Sequence, residues 1–289
     1  MNVSSNDQVF DAAFPGDPGA FSQLAAWIML SKTASLLPCR EIEDVLEAVT
    51  RDNAMYGIIP VENTLAGTLS LHIKSLCQYQ LPIVQETACR VEHAVIAAKG
   101  AKLEDITTIL SHPVALQQCR RWFRKHPRIQ QIPAYDTAGA VKDLVSQNLR
   151  DTAAIAGARN GDIYGGDVLA ENIQDCPHKY TRFLLISREG VVPSETEKIK
   201  VTFLTTLENK PAALYNALAP FALRGINLTN IANLSQENSP EGPRFEYTFY
   251  MEIVSWPRTD RAELIEAAFK DLQKQDPSLR ILGRYICMV

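Results

Sequence analysis

Four short segments of this chain join glycine or proline to small polar side chains at the end of an apolar run: Gly16-Asp-Pro-Gly19-Ala-Phe-Ser22, Pro60-Val-Glu62-Asn63-Thr64, Ser111-His112-Pro113 and Thr181-Arg182-Phe183. In open α/β sheets, ligands bind at the carboxyl ends of strands. The helices that follow present unpaired N–H groups and a partial positive charge, and the hydroxyls of Ser22, Thr64, Ser111, Thr137 and Thr181 add donors. Together these features describe a site for a small molecule that carries carboxylates. Each segment alone has a plainer explanation, because Ser and Thr commonly cap helices and glycines commonly make turns. Only the set points to a site.

Glu62 and Asn63 follow Tyr56-Gly-Ile-Ile-Pro60, which reads as a strand. A glutamate desolvated in a cleft has its pKa raised and can donate a proton; the alternative is a carboxylate that caps a helix. Arg182 can hold a carboxylate bidentately, although neighbours on an extended segment face opposite sides, so Thr181 and Arg182 need not share a face. Ser111 is placed to cap a helix that opens at His112-Pro113, Gln118 lies two turns further along, and His112 itself reads as structural.

From Val9 to about Glu189, short apolar runs alternate with helical periodicity. Ile42, Val45, Leu46 and Val49 mark one buried helix face by their i, i+3, i+4, i+7 spacing. The alternation returns in Ile106–Leu110 followed by a helix from Pro113 to Phe123, in a helix opening at Asp136-Thr137, and in Ala153–Ile155 followed by a helix that stops at Gly165-Gly166. This repetition predicts α/β layers with largely parallel sheets. Residues Glu189–Lys198 carry proline, serine and charge without periodicity and mark a domain boundary. Beyond them come a strand through Ile199, Val201, Phe203 and Leu207, and a helix opening at Asn209-Lys-Pro211 and left at Gly225. Strands near Ile226–Leu234 and Phe245–Ile253, a helix with Ile265, Ala268, Phe269 and Leu272 on one face, and the run Ile281–Met288 complete a βαββαβ order, the ferredoxin-like arrangement.

With 289 residues, 46% of them hydrophobic, the chain can bury substantial cores, and its length suggests two domains or one large one. A net charge of −4 gives no overall pull toward nucleic acid or anionic lipid. The local cluster Arg120, Arg121, Arg124 and Lys125 reads as a solvated helix face. Six cysteines show neither C-x-x-C pairing nor clustering with the five histidines, so reduced thiols in a cytoplasmic protein, and no metal or cofactor, are expected. The start lacks a basic region followed by an apolar stretch, and no uninterrupted apolar run is long enough for a membrane span, so neither a signal segment nor a span is expected.

The segments PVENTLAG, SHPVALQQC, DTAAIAGARNGDIYGGDVLAENIQD and TRFLLI resemble the prephenate dehydratases in order and spacing, and the plant arogenate dehydratases of the same family equally. The resemblance continues through ENKPAALYNALAPFALRGINLTNI, which is similar to an ACT domain. It implies a catalytic domain over residues 1–190 with two lobes resembling a periplasmic binding protein. Lobe one would be about Val9–Arg90 plus Asp175–Glu189, lobe two about Val91–Gln174, and the ACT domain 199–289. The implied activity is that of a carbon–oxygen lyase of phenylalanine biosynthesis: carbon dioxide leaves one end of the prephenate ring and hydroxide the other. Thr181 would then stand beside the leaving hydroxyl as a hydrogen-bond donor, with Glu62, Asn63, Thr64, Ser111 and Gln118 in the catalytic set. Ser22, Arg182, Thr137 and Phe183 would bind substrate, Arg182 having an interlobe ion pair as its alternative.

Some positions depart from the family pattern. Thr64 replaces a usual serine and keeps the hydroxyl; Val114 stands where glutamine is often found, Gly157 where serine is common, and Lys179 where an asparagine often precedes the TRF segment, adding a charge near the cleft entrance. In the ACT-like part, Ala212-Ala213-Leu214 stands in place of Gly-Ala-Leu, and Ala232-Asn233-Leu234-Ser235 lacks the glutamate and arginine of the family's second effector segment. Phenylalanine is therefore expected to bind weakly, through Ala213, Leu214 and Asn227, and the apolar strand Phe245–Ile253 suggests a homodimer or homotetramer. The competing expectations are arogenate dehydration, a non-catalytic two-lobed sensor, and a relative that decarboxylates prephenate without aromatising it.

Overall fold

A run of small and aromatic residues makes the first layer. Ala12, Ala13 and Phe14 are fully buried in β1 (Phe10–Pro15), the pattern of a strand covered on both faces. The computed structural model describes residues 9–64, 67–194, 196–234, 246–257 and 261–288; Leu65, Ala66, Ser235 and Phe245, named above within motifs or strands, lie outside the described residues. After β1 come α1 (Phe21–Met29), β2 (Leu36–Cys39), α2 (Ile42–Thr50) and β3 (Ala54–Asn63). β1 pairs in parallel with both β2 and β3. Helix α2 buries Ile42, Val45, Leu46 and Val49 as their spacing predicts, and a reciprocal box between Glu41 and Asp44 closes its first turn.

The chain continues through β4 (Gly67–Thr68), α3 (Ser70–Tyr79) and β5 (Ile83–Arg90) into a second sheet. Its strands are β6 (Ala94–Ala97), β7 (Thr108–Ser111), β8 (Gln130–Pro133), β9 (Thr152–Ala156) and β10 (Asp167–Ala170), in the order β10-β6-β9-β7-β8. β7 runs parallel to β8 and β9, while β6 runs antiparallel to β9 and β10. The helices here are α4 (Pro113–Gln118), α5 (Arg120–Lys125), α6 (Thr137–Ser146) and α7 (Arg159–Tyr164). The single helix expected from Pro113 to Phe123 is two, because buried Cys119 leaves helical geometry at φ −118° and ψ 25°. The strand expected at Ile106–Leu110 begins at Thr108, after a 3-10 turn at Leu103–Asp105. Arg120, Arg121, Arg124 and Lys125 are exposed.

β11 (Tyr180–Ser187) leads to β12 (Ile199–Glu208), α8 (Ala213–Ala222), β13 (Asn227–Leu234), β14 (Glu246–Ser255), α9 (Arg261–Gln273) and β15 (Arg280–Ile286), the βαββαβ order. Contacts divide the chain into one unit of Met1–Gly67 with Ala88–Phe183 and a second of Thr68–Thr87 with Leu184–Val289. In the second unit β12 lies between β14 and β15, both antiparallel to it, and β13 pairs with β14. Gly283 of β15 meets Ile83 of β5, where a Cβ would fall 2.3 Å from the Ile83 carbonyl oxygen, so only glycine permits that approach. Phe203 on the sheet packs with Phe221 and Phe269 on the two helices, at ring separations of 5.4 and 5.0 Å. The sheet also carries a buried polar network: Lys200 Nζ meets Glu86 Oε2 at 2.7 Å, and the Tyr250 hydroxyl donates to Glu252 at 2.5 Å. Charges of this kind are tolerated inside a fold because they are paired.

Helix α8 begins at Ala213 and not at Asn209-Lys-Pro211. The reason is Ala212, whose φ of +63° is left-handed backbone, a conformation that costs a non-glycine residue about 1–2 kcal/mol. Ala212→Gly should relieve that strain, offset in part by the greater freedom glycine gives the unfolded chain. Urea unfolding should show a gain of about 0.5–1 kcal/mol for the variant; a loss would mean that the alanine side chain contributes contacts outweighing the strain.

Candidate active site

The end of β3 and the start of β11 lie side by side. Thr64 N donates to the Tyr180 carbonyl at 3.1 Å, and Tyr180 N donates to Thr64 Oγ1 at 3.3 Å. This pairing sets Asn63 opposite Thr181, and Asn63 Nδ2 donates to Thr181 Oγ1 at 2.9 Å. The Thr181 oxygen accepts, so its own proton is left to donate to a ligand. Asn63 is buried and Thr181 half-buried.

Alternation along the two strands sends their neighbours the other way. There Arg182 Nε donates to Glu62 Oε2 at 3.0 Å, with the Arg182 side chain 7% exposed and that of Glu62 43% exposed. Two expectations change as a result. Glu62 is partly exposed, not enclosed, and forms an ion pair, and Arg182 is its partner within the same unit. Phe183 is buried.

Ser111 and Gln118 are both buried, and each has a fixed partner. Ser111 Oγ donates to the Ile155 carbonyl at 2.6 Å, tying β7 to β9, and does not cap α4. The cap is His112, whose Nδ1 accepts from Val114 N at 3.2 Å, so its structural reading stands. Gln118 Oε1 lies 2.6 Å from His93 Nε2, and the edge of Phe21 packs against the imidazole with ring centroids 6.1 Å apart. Burial pushes the His93 pKa down and Lys179 pushes it further, while the Gln118 hydrogen bond opposes both, so the ring is neutral at pH 7. His93, Phe21, Gly157 and Arg159 line a cavity of about 240 Å³.

The loop after β1 clasps the helices of the second sheet. Arg159 donates to the Gly19 carbonyl at 2.7 and 3.1 Å and also to that of Ala20; Tyr164 OH donates to Pro18 O at 2.5 Å. Gly19 is required here, because a Cβ on it would fall 1.9 Å from Asn160 Oδ1. Asp17 binds Lys142 Nζ at 2.8 Å. Asp136 caps α6 through Thr137 N and Gly139 N and also receives Asp17 N, leaving Thr137 in the first turn. Ser22 donates to the Pro15 carbonyl, so its hydroxyl fastens α1 to β1. In the second unit, Ala213 lines a groove of about 480 Å³ together with Glu208, Lys210, Arg224 and Asp271, whereas Leu214 and Asn227 do not line it. Among the described residues no group of three or more His, Cys, Asp or Glu side chains could hold a metal ion.

A half-buried threonine that accepts from an asparagine, and a buried histidine held by a glutamine, now have a context among known proteins. The profile of the family described as prephenate dehydratase matches residues 12–191. The chain is 36% identical over 290 residues to arogenate dehydratase/prephenate dehydratase 1 of Arabidopsis thaliana, covering 97% of this chain and 73% of that one. The chain belongs to the prephenate dehydratase family. The prephenate dehydratase of Arthrobacter aurescens, solved in complex with L-Phe, superposes with a TM-score of 0.84 at 29% identity, over 96% of this chain and 89% of that one. A chain described as GqqA, a novel type of quorum quenching acylase, superposes with a TM-score of 0.83 at 29% identity, over 96% and 97%.

Three departures from the dehydratase pattern take on a physical meaning. A Cβ at Gly157 would meet Phe21 at 3.6 Å and Asn160 at 3.7 Å, ordinary contacts, so glycine leaves space that a serine would fill. Thr64 uses its hydroxyl to accept from Tyr180 N. Lys179, expected to add a charge near the cleft entrance, is 3% exposed, and its carbonyl accepts from Val91 N at 2.8 Å. Sequence reasoning missed His93 and Arg159: each lies outside the glycine and proline loop segments, and the only available signal for Arg159 was its place just after a strand in the quoted AAIAGARNG motif.

Thr181→Ala should lower kcat on the dehydratase substrate by on the order of 10²-fold with little change in KM, since a contact made mainly in the transition state is lost; a variant that keeps most of its kcat removes Thr181 from the chemistry. His93 and His112 both have pKa values held below 6.5 by burial. A depressed histidine contributes its stability above the unfolded pKa of about 6.5 and loses it as pH falls, because the unfolded chain takes up the proton that the folded one refuses. Unfolding free energy by urea should therefore be lower at about pH 5.5 than at about pH 7.5; equal values would mean both imidazoles titrate as free ones.

Proposed function

We propose that this chain catalyses the decarboxylating dehydration of prephenate to phenylpyruvate in L-phenylalanine biosynthesis, as a carbon–oxygen lyase. The observation that carries this reading is the hydrogen bond from Asn63 to Thr181. Aromatisation of the ring drives loss of carbon dioxide and hydroxide, so the protein has only to orient the substrate and stabilise the departing oxygen. An alcohol is too weak an acid to surrender its proton at pH 7. A hydroxyl whose oxygen is already occupied by an amide donor, however, is oriented to donate its hydrogen bond as charge grows on the leaving group. Gln118 and Ser111 act by holding His93 and the β7–β9 pair that wall the site.

Arogenate dehydration is the close alternative, differing in an ammonium where prephenate has a keto group. Acylase chemistry is less well supported, because a nucleophilic hydroxyl needs a base to take its proton. Thr181 accepts from an amide, while Ser22 and Ser111 donate to backbone carbonyls. Cys119 is buried with its pKa pushed up to about 12. We assign catalysis to residues 1–190 and an ACT-type regulatory role to 199–289, whose βαββαβ order supports that reading. The six free thiols fit a reducing compartment such as the cytoplasm; a homodimer or homotetramer rests on the family resemblance alone, because Met251 and Ile253 of β14 are packed in the core of their own unit. Among the described residues no helix is long and apolar enough to cross a membrane.

The deciding assay incubates purified protein with prephenate and with arogenate and follows phenylpyruvate and phenylalanine separately. Phenylpyruvate from prephenate is the expected result; product from neither substrate would leave the sensor reading in its place. Phenylalanine itself should bind weakly, since Ala212 brings a Cβ where the family has glycine and the second effector segment lacks its charged residues. Losing such polar contacts costs roughly 1–3 kcal/mol, or about one to two decades in affinity. Micromolar binding by calorimetry together with inhibition would show that the altered segments still form an effector site.

A further inference from the structure

Two segments carry the chain between its two sheets: Val91–His93, from β5 to β6, and Glu171–Lys179, from β10 to β11. They are bonded to each other. Val91 N donates to the Lys179 carbonyl at 2.8 Å, Ile173 N to the His93 carbonyl at 3.1 Å, and His93 N to Gln174 Oε1 at 2.9 Å. Gln118, at the end of α4, is held from both. Asp175 N donates to its backbone carbonyl at 2.7 Å, and His93 Nε2 lies 2.6 Å from its side-chain Oε1.

An amide oxygen only accepts, so the proton of this bond belongs to His93 Nε2. The neutral ring then has no proton on Nδ1, which is buried without a partner. The edge of Phe21 packs against the ring and fixes its plane. With Oε1 filled, the Gln118 amide can point only one way, and its NH2 is the end left over. Among the described residues that nitrogen has no hydrogen-bond partner, although Gln118 is only 2% exposed. Donors held in a covered place without an acceptor are costly, and an oxygen of a bound ligand removes that cost. The bond that holds His93 therefore also aims Gln118.

We propose that His93 is a positioning residue: its Nε2–H holds Gln118 Oε1, so that the Gln118 NH2 donates to a carboxylate or hydroxyl oxygen of the substrate. This rests on the reading of the chain as a dehydratase, in which Gln118 belongs to the catalytic set. An imidazole suits the task because it is stiff and, when neutral, brings no charge that would compete for an anionic substrate.

The test measures kcat/KM for prephenate in the wild-type chain, His93→Leu, His93→Gln, Gln118→Ala and the double variant His93→Leu/Gln118→Ala, and reads the His93 ring by nitrogen NMR. The wild-type ring should carry its proton on Nε2 and none on Nδ1. His93→Leu should lose about tenfold or more in kcat/KM, since a misplaced contact costs on that scale. His93→Gln, which restores an N–H donor, should recover most of the loss. The double variant should be no slower than Gln118→Ala alone. A proton on Nδ1, losses that multiply in the double variant, or a lowered thermal midpoint with unchanged kcat/KM overturns the proposal. If His93→Leu does not fold, His93→Asn, whose shorter amide falls short of Oε1, takes its place. If the wild type turns over neither prephenate nor arogenate, the dehydratase reading fails and prephenate binding by calorimetry replaces kcat/KM. Affinity lost in Gln118→Ala and His93→Leu but kept in His93→Gln then sustains the positioning role, and no binding to the wild type removes it.

Discussion

The proposed chemistry depends on one pairing of strand ends, that of Glu62-Asn63-Thr64 against Tyr180-Thr181-Arg182. Residues more than a hundred positions apart are brought into register by backbone bonds between Thr64 and Tyr180, and side-chain alternation then sorts them into two couples. Asn63 and Thr181 share one face, where the amide donates to the hydroxyl oxygen. Glu62 and Arg182 share the other and neutralise each other. A slip of one residue would exchange the faces and put an ion pair where the hydroxyl belongs.

Around that pairing the first unit is held by contacts that are mostly backbone-directed. Arg159, Asn160 and Tyr164 grip the carbonyls of Pro18, Gly19 and Ala20, and Asp136 serves at once as a helix cap and as an acceptor for Asp17 N. Such contacts fix geometry without consuming charge, and the Arg159 guanidinium lies over the Trp27 ring, 5.7 Å from its centroid, in a cavity wall that also carries Glu92 and Glu171. The hydroxyls of Ser22 and Ser111 are spent in the same way on carbonyls. They therefore shape the site and do not act within it.

The scaffold was largely legible in the sequence. The apolar spacing of α2, the βαββαβ order after residue 199 and the exposed basic face of α5 follow from local periodicity, which depends on neighbours along one element. Of the site, Thr181 and Asn63 were legible through the family resemblance, but their bond was not. The partners of Glu62, Ser111 and Gln118 were illegible because each lies 25 to 120 residues away. The burial of Lys179 was illegible for a related reason, since a lysine between His178 and Tyr180 carries no local signal of being covered. Likewise the break at Cys119 and the late start of α8 turn on single backbone angles that apolar periodicity does not encode.

A double-mutant cycle on Thr181 and Asn63 tests most directly whether the amide orients the hydroxyl. The kcat of Thr181→Ala, Asn63→Ala and the double variant would be compared with that of the unmodified chain. If Asn63 acts through Thr181, the losses are strongly non-additive, and the double variant is no slower than Thr181→Ala alone. Losses that multiply in the double variant would show that the two side chains act independently, and the account of an amide-aimed hydroxyl would be wrong.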